Sequence, residues 1–266
     1  MPTTEFAFQE LCTLLGRQVR PDEVRDSISM LGVDVERIDN EKIVMEVFPN
    51  RPDMLGIEGF ARALKGVMDI DTGLPEFQTG DSGITLFVES SVKDVRPYIS
   101  AGVVRDISLT EGHLVSLMNI QEKLHITHGR NRKKVAIGVH DLSKVTPPFT
   151  YKATGPEEIS FVPLDSEVRM NLSEILKKHP KGMTYAGLLK GFNKYPVIID
   201  KNGDVLSFPP IINGERTRLS DRTRDIFIDV TGTDRKAVDS AMNILVAGLL
   251  DRCGRAGSVE ILESNC

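Results

Sequence analysis

Residues 196–217 read PVIIDKNGDVLSFPPIINGERT, and the order of runs and breaks in them decides what kind of fold the chain can have. Two β-rich runs flank Asn202-Gly203, a pair that favours a type I′ turn, so the first half predicts a hairpin. Pro209 and Pro210 then remove two backbone donors in succession, and Asn213-Gly214 closes the segment as a turn that tolerates positive φ. A strand that ends this way is either an edge strand being stopped or a backbone held open so that something other than protein can pair with it.

Outward from this hairpin, strands and helices mix without strict alternation. Towards the C-terminus, residues 226–230 read as a strand, and Asp234 is placed to cap a long apolar helix over 235–253, with Gly254 as its stop. A further strand begins at SVEIL, 258–262. Towards the N-terminus, strands are predicted at 84–88, 101–107, 134–139 and 159–163, and helices at 112–125 and Leu172–Lys178. The first section reads as helix, helix, hairpin, helix. Phe8, Leu11 and Leu15 share one helical face before Gly16, and Val24, Ile28 and Leu31 repeat the pattern before Gly32. Alternating apolar residues around Asp39-Asn40-Glu41 predict a hairpin, and Asp53 in PNRPD is expected to cap a helix through Phe60 and Leu64, a structural role for that phrase. The stretch 69–81, rich in Gly, Pro and acids, reads as a linker. Frequent hairpins favour an α+β class: a small helix-hairpin-helix module over 1–80 and a larger mixed α+β domain over 81–266.

Composition sets the outer bounds. With 266 residues, 40% of them hydrophobic and 27% charged, the chain can bury a sizeable core and is not a disordered polymer. A net charge of −5 argues against binding nucleic acid through bulk electrostatics, while leaving room for local basic stretches. No apolar run approaches a bilayer span, and the acidic N-terminal stretch lacks the basic region of a signal peptide. Cys12, Cys253 and Cys266 are odd in number and widely spaced, which favours a reducing cytosol over a disulfide scaffold. A cytoplasmic protein without a membrane partner is therefore expected.

Familiar catalytic signatures are missing: there is no P-loop, no G-x-S-x-G elbow and no H-E-x-x-H. The five histidines, at 113, 125, 128, 140 and 179, are scattered, so no metal site is expected. His140-Asp141 is the one close pairing of histidine and carboxylate, and it reads as a strand-end histidine bonded to backbone. The run GRNRKK, 129–134, supplies Arg130, Arg132 and Lys133, which either meet a phosphate backbone or form a solvated loop. Arg216, Arg218, Arg222 and Arg224 interleave with Glu215, Asp221 and Asp225, a pattern that pairs with itself on a surface. Asp229 and Thr231, two apart in a strand, face the same side. If Ser207 projects to that side, a carboxylate and two hydroxyls meet beside Pro209-Pro210. The alternative is a strand whose polar residues face solvent while Ile226, Ile228 and Val230 face the core.

Five phrases in order, PNRPDMLGIEG, QEKLH followed by GRNRKKVAIGVHDL, PFTY, IDKNGDVLSFPPIINGERT and FIDVTGTD, give the chain a resemblance along essentially its whole length. It resembles the N-terminal half of the β subunit of phenylalanyl-tRNA synthetases of the archaeal and eukaryotic cytosolic type. That resemblance implies a B1-type module followed by a B3/B4 editing domain, within a class II α2β2 enzyme that joins phenylalanine to tRNA(Phe) using ATP and magnesium. The synthetic site belongs to the α subunit, so a fragment of this kind needs no cofactor of its own and does not itself aminoacylate.

Editing is physically reasonable, because a pocket shaped for phenylalanine rejects one extra hydroxyl poorly, by roughly a hundredfold or less. A second, hydrolytic site can instead demand the phenol of a mischarged Tyr-tRNA(Phe). The resemblance places that site on Ile198 as an apolar wall, with Ser207, Asp229 and Thr231 as the chemical residues. Pro209 shapes the rim, Asn213 and Glu215 form the lip, and backbone donors at 232–234 are expected to receive an oxyanion. Arg130, Arg132 and Lys133 are the expected tRNA contacts. The competing reading is a noncatalytic module that holds tRNA or the α subunit.

Overall fold

Thr4 and Phe6 are buried between exposed neighbours, the period-two pattern of a half-buried strand, and Thr3–Ala7 forms β1 of the computed structural model, which describes residues 2–264. Helices α1 (Phe8–Leu15) and α2 (Pro21–Met30) follow, then β2 (Asp34–Ile38), β3 (Lys42–Glu46) and α3 (Ile57–Val67). The expected hairpin is thus part of a three-stranded antiparallel sheet in the order β1-β3-β2. Gly16 adopts φ +76 and returns its N–H to Thr13, ending α1 as the sequence predicts. Asp53 does not cap α3: its carboxylate is gripped by Arg51 at 3.0 and 2.8 Å, and Gly56 occupies the cap without a side-chain bond.

Beyond α3 the chain builds one nine-stranded mixed sheet. Its strands are β4 (Thr79–Glu89), β5 (Tyr98–Arg105), β6 (Val135–Asp141), β7 (Phe149–Thr154), β10 (Tyr195–Ile199), β11 (Val205–Phe208), β12 (Ile212–Asn213), β13 (Ile226–Gly232) and β14 (Arg255–Ser264). They lie in the order β12-β11-β10-β7-β4-β14-β5-β13-β6. The first residues of β4 fall inside the stretch expected to be a linker, because they pair in parallel with β14, Thr79 opposite Ala256. A two-stranded ribbon of β8 (Ser160–Phe161) and β9 (Met170–Asn171) leads into α5 (Leu172–Lys178) and α6 (Pro180–Tyr185). The architecture is α+β, as the sequence implies.

Capping chemistry fixes the two long helices. Thr110 accepts from His113 N–H in a reciprocal capping box that starts α4 (Glu111–Ile126), and Asp234 accepts from Ala237 N–H to start α7 (Arg235–Leu250). The β10–β11 hairpin forms around Asn202-Gly203, but only Gly203 has positive φ, so the turn is not type I′. Asp200 decides the turn instead: one carboxylate oxygen accepts from the N–H of Asn202 and of Asp204, and the other from Thr146 N–H.

Two apolar clusters cover most of the two faces of the large sheet, and a third packs Val197, Val205 and Phe208 at its β10–β12 end against Leu172 and Ile175 of α5. One is continuous from α1, α3 and β3 through α4 and α7 to Ile226, Ile228 and Val230 of β13, so the N-terminal section and the sheet share a single core. The second gathers Leu86, Ile99, Val103, Phe149, Tyr151, Ile198, Leu206, Phe227 and Val259, drawn from seven strands along the sheet. The sheet bends round this second face, since its second and eighth strands line one cleft, and register shifts at Ile198/Ile199 and Ser258/Val259 interrupt its ladders. Cys12 and Cys253 are unpaired thiols, Cys266 lies outside the described residues, and no helix among them is long and apolar enough to cross a membrane.

The N-terminal section is fastened to the C-terminal end of α7 by charge. Arg252 Nε donates to Glu58 Oε1 at 2.6 Å, with both side chains about nine-tenths buried, and its Nη2 reaches Glu10. Removing the arginine strands a buried carboxylate. Arg252→Ala is therefore expected to lower the unfolding free energy by about 3–5 kcal/mol in denaturant titration, while Arg252→Met with Glu58→Leu recovers most of the loss. A loss below about 1 kcal/mol in the single variant would contradict this account.

Candidate functional site

All seven residues of β13 are buried, which overturns the solvated-face alternative for its polar residues. Ile226, Ile228 and Val230 face the helices, and Phe227 packs at 4.4 Å from Phe149 on the concave side. Asp229 and Thr231 share that concave side by alternation. Opposite Asp229 on the next strand is Gly138, where a Cβ would fall 2.1 Å from Asp229 Oδ2 and 2.6 Å from His140 Nε2. The missing side chain leaves the room in which His140 Nε2 meets Asp229 Oδ2 at 2.7 Å. An isolated glycine in VAIGVH is the sequence signal for such a close approach.

His140 is fully buried and bonds side chains, not backbone, so its expected bland role is corrected. Its Nδ1 lies 2.8 Å from Thr217 Oγ1, which is itself 3.1 Å from Gly214 O. No donor among the described residues reaches Asp229 Oδ1.

Asp229 lines a small cleft that opens to solvent. Across the cleft stand Ser207, Phe208, Pro209, Pro210 and Ile211, with Asn213 at the lip. Strands β11 and β13 hold second and eighth place in the sheet, so they are not neighbours, and the bend of the sheet is what makes them face each other. The β11–β12 hairpin pairs Ser207 with Asn213 and Phe208 with Ile212, leaving Pro209, Pro210 and Ile211 as its loop, with a cis bond between the prolines. The carbonyls of Pro210 and Ile211 are met by Arg132 Nη1 at 3.4 and 2.9 Å. The donor-poor segment is thus a wall pinned by an arginine from the far side.

Five of the expected site residues line the cleft: Ser207, Asp229, Pro209, Asn213 and, expected instead as a tRNA contact, Arg132. Ile198 sits opposite Ser207 in register but is wholly buried in the concave-face cluster, away from the cleft walls. Thr231 is also displaced from its expected role. Its hydroxyl accepts from Arg96 Nε at 2.9 Å and does not reach the cleft. Glu215 stands one step back, accepting from Arg218 and from Asp165 N–H, and Asp165 is the residue on the cleft rim. Around 232–234 the expected oxyanion donors are absent from the cleft lining, and Thr233 N–H is taken by Lys134 O. Of the basic run, Arg130 and Lys133 are exposed, whereas Arg132 turns inward from φ +66, bonds Glu122 at 3.1 Å and lies 4.5 Å over Tyr185. That committed guanidinium replaces the phosphate contact expected of it.

The cleft is polar at its walls and unsaturated. Ser207 Oγ, Arg132 Nε and His125 Nδ1 are the buried side-chain polar atoms that lack a partner among the described residues, and all three residues line it. Each orphan costs about 1–3 kcal/mol, the mark of a place kept for water or ligand. His125 Nε2 accepts from Ile137 N–H at 2.8 Å, so the ring proton is on Nδ1, 3.5 Å from Glu122 and poorly aligned for a full bond. Burial pushes the His125 imidazole down to about 4, keeping it neutral. The neighbouring His125 N–H, with Arg132 and Lys181, holds Glu122 down to about 2. Behind the cleft Arg96 is buried against the carbonyls of Arg132, Lys133 and Thr231, and desolvation pushes it down to about 10, still charged at neutral pH. Tyr151 donates to Arg96 O at 2.7 Å, and burial pushes its phenol up. Sequence reasoning missed Arg96, Gly138 and the partners of His140. Among the described residues no three His, Cys, Asp or Glu side chains gather to hold a metal ion.

The chain matches the B3/4 domain family over residues 112–245. It is 44% identical over 265 residues to the phenylalanine–tRNA ligase β subunit of Methanosphaera stadtmanae, covering 100% of this chain and 47% of that one. The β subunit of Archaeoglobus fulgidus is 47% identical over 262 residues, 98% of this chain and 47% of its own. The chain spans about half the length of these relatives. Its structure superposes with a TM-score of 0.93, at 37% identity, on an N-terminal fragment of the phenylalanyl-tRNA synthetase β subunit from Pyrococcus horikoshii, covering 100% of this chain and 78% of that one.

Two outcomes follow from the geometry. Gly138→Ala drives a methyl group into the Asp229 carboxylate, so the His140–Asp229 contact is expected to open and stability to fall by about 1–3 kcal/mol; a crystal structure of the variant that keeps the contact would refute it. His125, buried neutral, binds its proton less readily folded than unfolded. Its contribution of roughly 3 kcal/mol is complete above pH 6.5 and is lost as pH falls towards 4, so His125→Gln is expected to flatten the stability profile in that window.

Proposed function

The chain belongs to the phenylalanyl-tRNA synthetase β-subunit family and carries its B3/4 domain, and on that premise we propose that the cleft between Ser207 and Asp229 is a hydrolytic editing site. Its substrate is the aminoacyl ester of a mischarged tyrosyl-tRNA(Phe). Ligation of phenylalanine to tRNA belongs to the complete enzyme, with ATP, magnesium and an α subunit in an α2β2 assembly in the cytoplasm. Arg130 and Lys133, both exposed, are the proposed contacts to the tRNA backbone.

The observation that carries the reading is the set of orphaned polar atoms around one enclosed carboxylate. A phenol entering the cleft gives Ser207 Oγ a partner it lacks, whereas a phenyl ring leaves that hydroxyl and Asp229 Oδ1 unpaired. The difference disfavours phenylalanine by about 1–3 kcal/mol for each group left without a bond. Hydrolysis needs a water held against the ester carbonyl and a donor where the oxyanion develops. Asp229 Oδ1, the carboxylate oxygen not bonded to His140, is the acceptor for that water or for the substrate ammonium, and Arg132 Nε is an unpartnered donor in the cleft wall. No nucleophilic triad is required, because an aminoacyl ester is already labile.

Deacylation of Tyr-tRNA(Phe) and Phe-tRNA(Phe) by the 266-residue chain tests this directly. The tyrosyl ester is expected to be cleaved faster, with Asp229→Ala losing about a hundredfold in rate and Ser207→Ala losing about tenfold of the preference. Equal, uncatalysed decay of both esters would instead assign the chain to tRNA or subunit binding without catalysis.

A further inference from the structure

We propose that Thr217 and His140 form a buried relay that fixes the Asp229 carboxylate, which makes His140 a positioning residue of the cleft. The inference rests on the reading of the cleft as hydrolytic, and it concerns groups that do not themselves touch the substrate.

Contacts at the two ring nitrogens set the relay's order. Thr217 Oγ1 lies 2.8 Å from His140 Nδ1 and 3.1 Å from Gly214 O, and that carbonyl already accepts the Thr217 N–H at 3.2 Å. The hydroxyl thus holds the Nδ1 end of the ring. The other ring nitrogen faces Asp229 Oδ2 at 2.7 Å, a contact that is a hydrogen bond only with a proton between them. The ring thus donates from Nε2 to the carboxylate while Nδ1 is met by the hydroxyl. A flip of the ring would replace both nitrogens with carbon, so the Thr217 hydroxyl holds the ring in the orientation that holds the carboxylate.

Packing removes the alternatives. His140 is fully buried, its ring centroid lies 6.2 Å from that of Phe227, and Gly138 contributes no Cβ where Nε2 and Oδ2 meet. With Oδ2 committed, Asp229 has one oxygen left, and the residue lines the cleft. The relay also has an address in the chain. Gly214 follows Asn213 at the cleft lip, and the Glu215–Thr217 turn carries the hydroxyl back underneath it. The lip and the carboxylate are therefore held by one hydrogen-bonded chain, Gly214 O, Thr217, His140, Asp229.

The test uses the 266-residue chain and two readouts. In deacylation of Tyr-tRNA(Phe), Thr217→Val, which keeps the volume and loses the hydroxyl, is expected to lower kcat by about tenfold or more with KM within about twofold, while Thr217→Ser stays within about twofold of the parent. An unchanged kcat in Thr217→Val overturns the proposal. Independently of activity, nitrogen-15 spectra of the His140 ring are expected to show a proton on Nε2, with the Nε2 resonance moving in Asp229→Asn. A bare Nε2 overturns the relay even if Thr217→Val proves too unstable to assay. A parent chain that does not hydrolyse the tyrosyl ester but shows the Nε2 proton keeps the relay and overturns the editing reading alone.

Discussion

The bend of the nine-stranded sheet is the constraint on which the site depends. Ser207 and Asp229 stand on its second and eighth strands, and nothing in the chain between them brings the two together locally. What closes the gap is a filled concave face, with aromatic and branched side chains from seven strands meeting in one cluster, so that flattening the sheet would expose all of it. Arg132 then locks the rim by bonding two carbonyls of the opposite hairpin loop. Its αL backbone and its stacking over Tyr185 fix where that lock is applied.

Burial is equally what gives the site its chemistry. Asp229 and His140 are shut away from bulk water, so their contact with each other counts for more than it would at a surface, and an unpaired atom beside them counts against the fold. Arg96 adds a charged group with only neutral oxygens for direct partners, beside the strand that bears Asp229. The stability given up at Ser207 Oγ, Arg132 Nε and His125 Nδ1 is offset elsewhere by the two apolar clusters.

How much of this was legible in the sequence follows the distance over which each feature is decided. Helix starts at Asp234 and at residue 112 within a position or so, the stop at Gly16, and the strand 226–230 are local in origin and were predicted from neighbouring residues. β1 was not, because Thr3–Ala7 has only one large apolar residue and becomes a strand by pairing with β3. The turn at Asn202-Gly203 was read from its own two residues, whereas Asp200 and Thr146 determine its shape. Among site residues, Ser207 and Asp229 are named by the sequence, with the face of Ser207 left as a condition, because their meeting depends on strand order, which periodicity does not encode. Thr231 has the same alternation as Asp229 and a different neighbour, Arg96, more than a hundred positions upstream in the chain. His140 looked ordinary beside Asp141, since its real partners lie on β13 and on the turn ending at Thr217.

The place of β14 in the sheet has a consequence for biosynthesis. It lies between β4 and β5, yet it is made after every other strand of the sheet. Until it leaves the ribosome, the nascent polypeptide holds two unjoined half-sheets, one ending in β4 and the other in β5, each with a bare edge able to zip onto a stranger. A stalled translation product short of Arg255 is thus an aggregation hazard and a natural client for chaperones, and the hollow between the two halves takes shape only as synthesis of this region finishes.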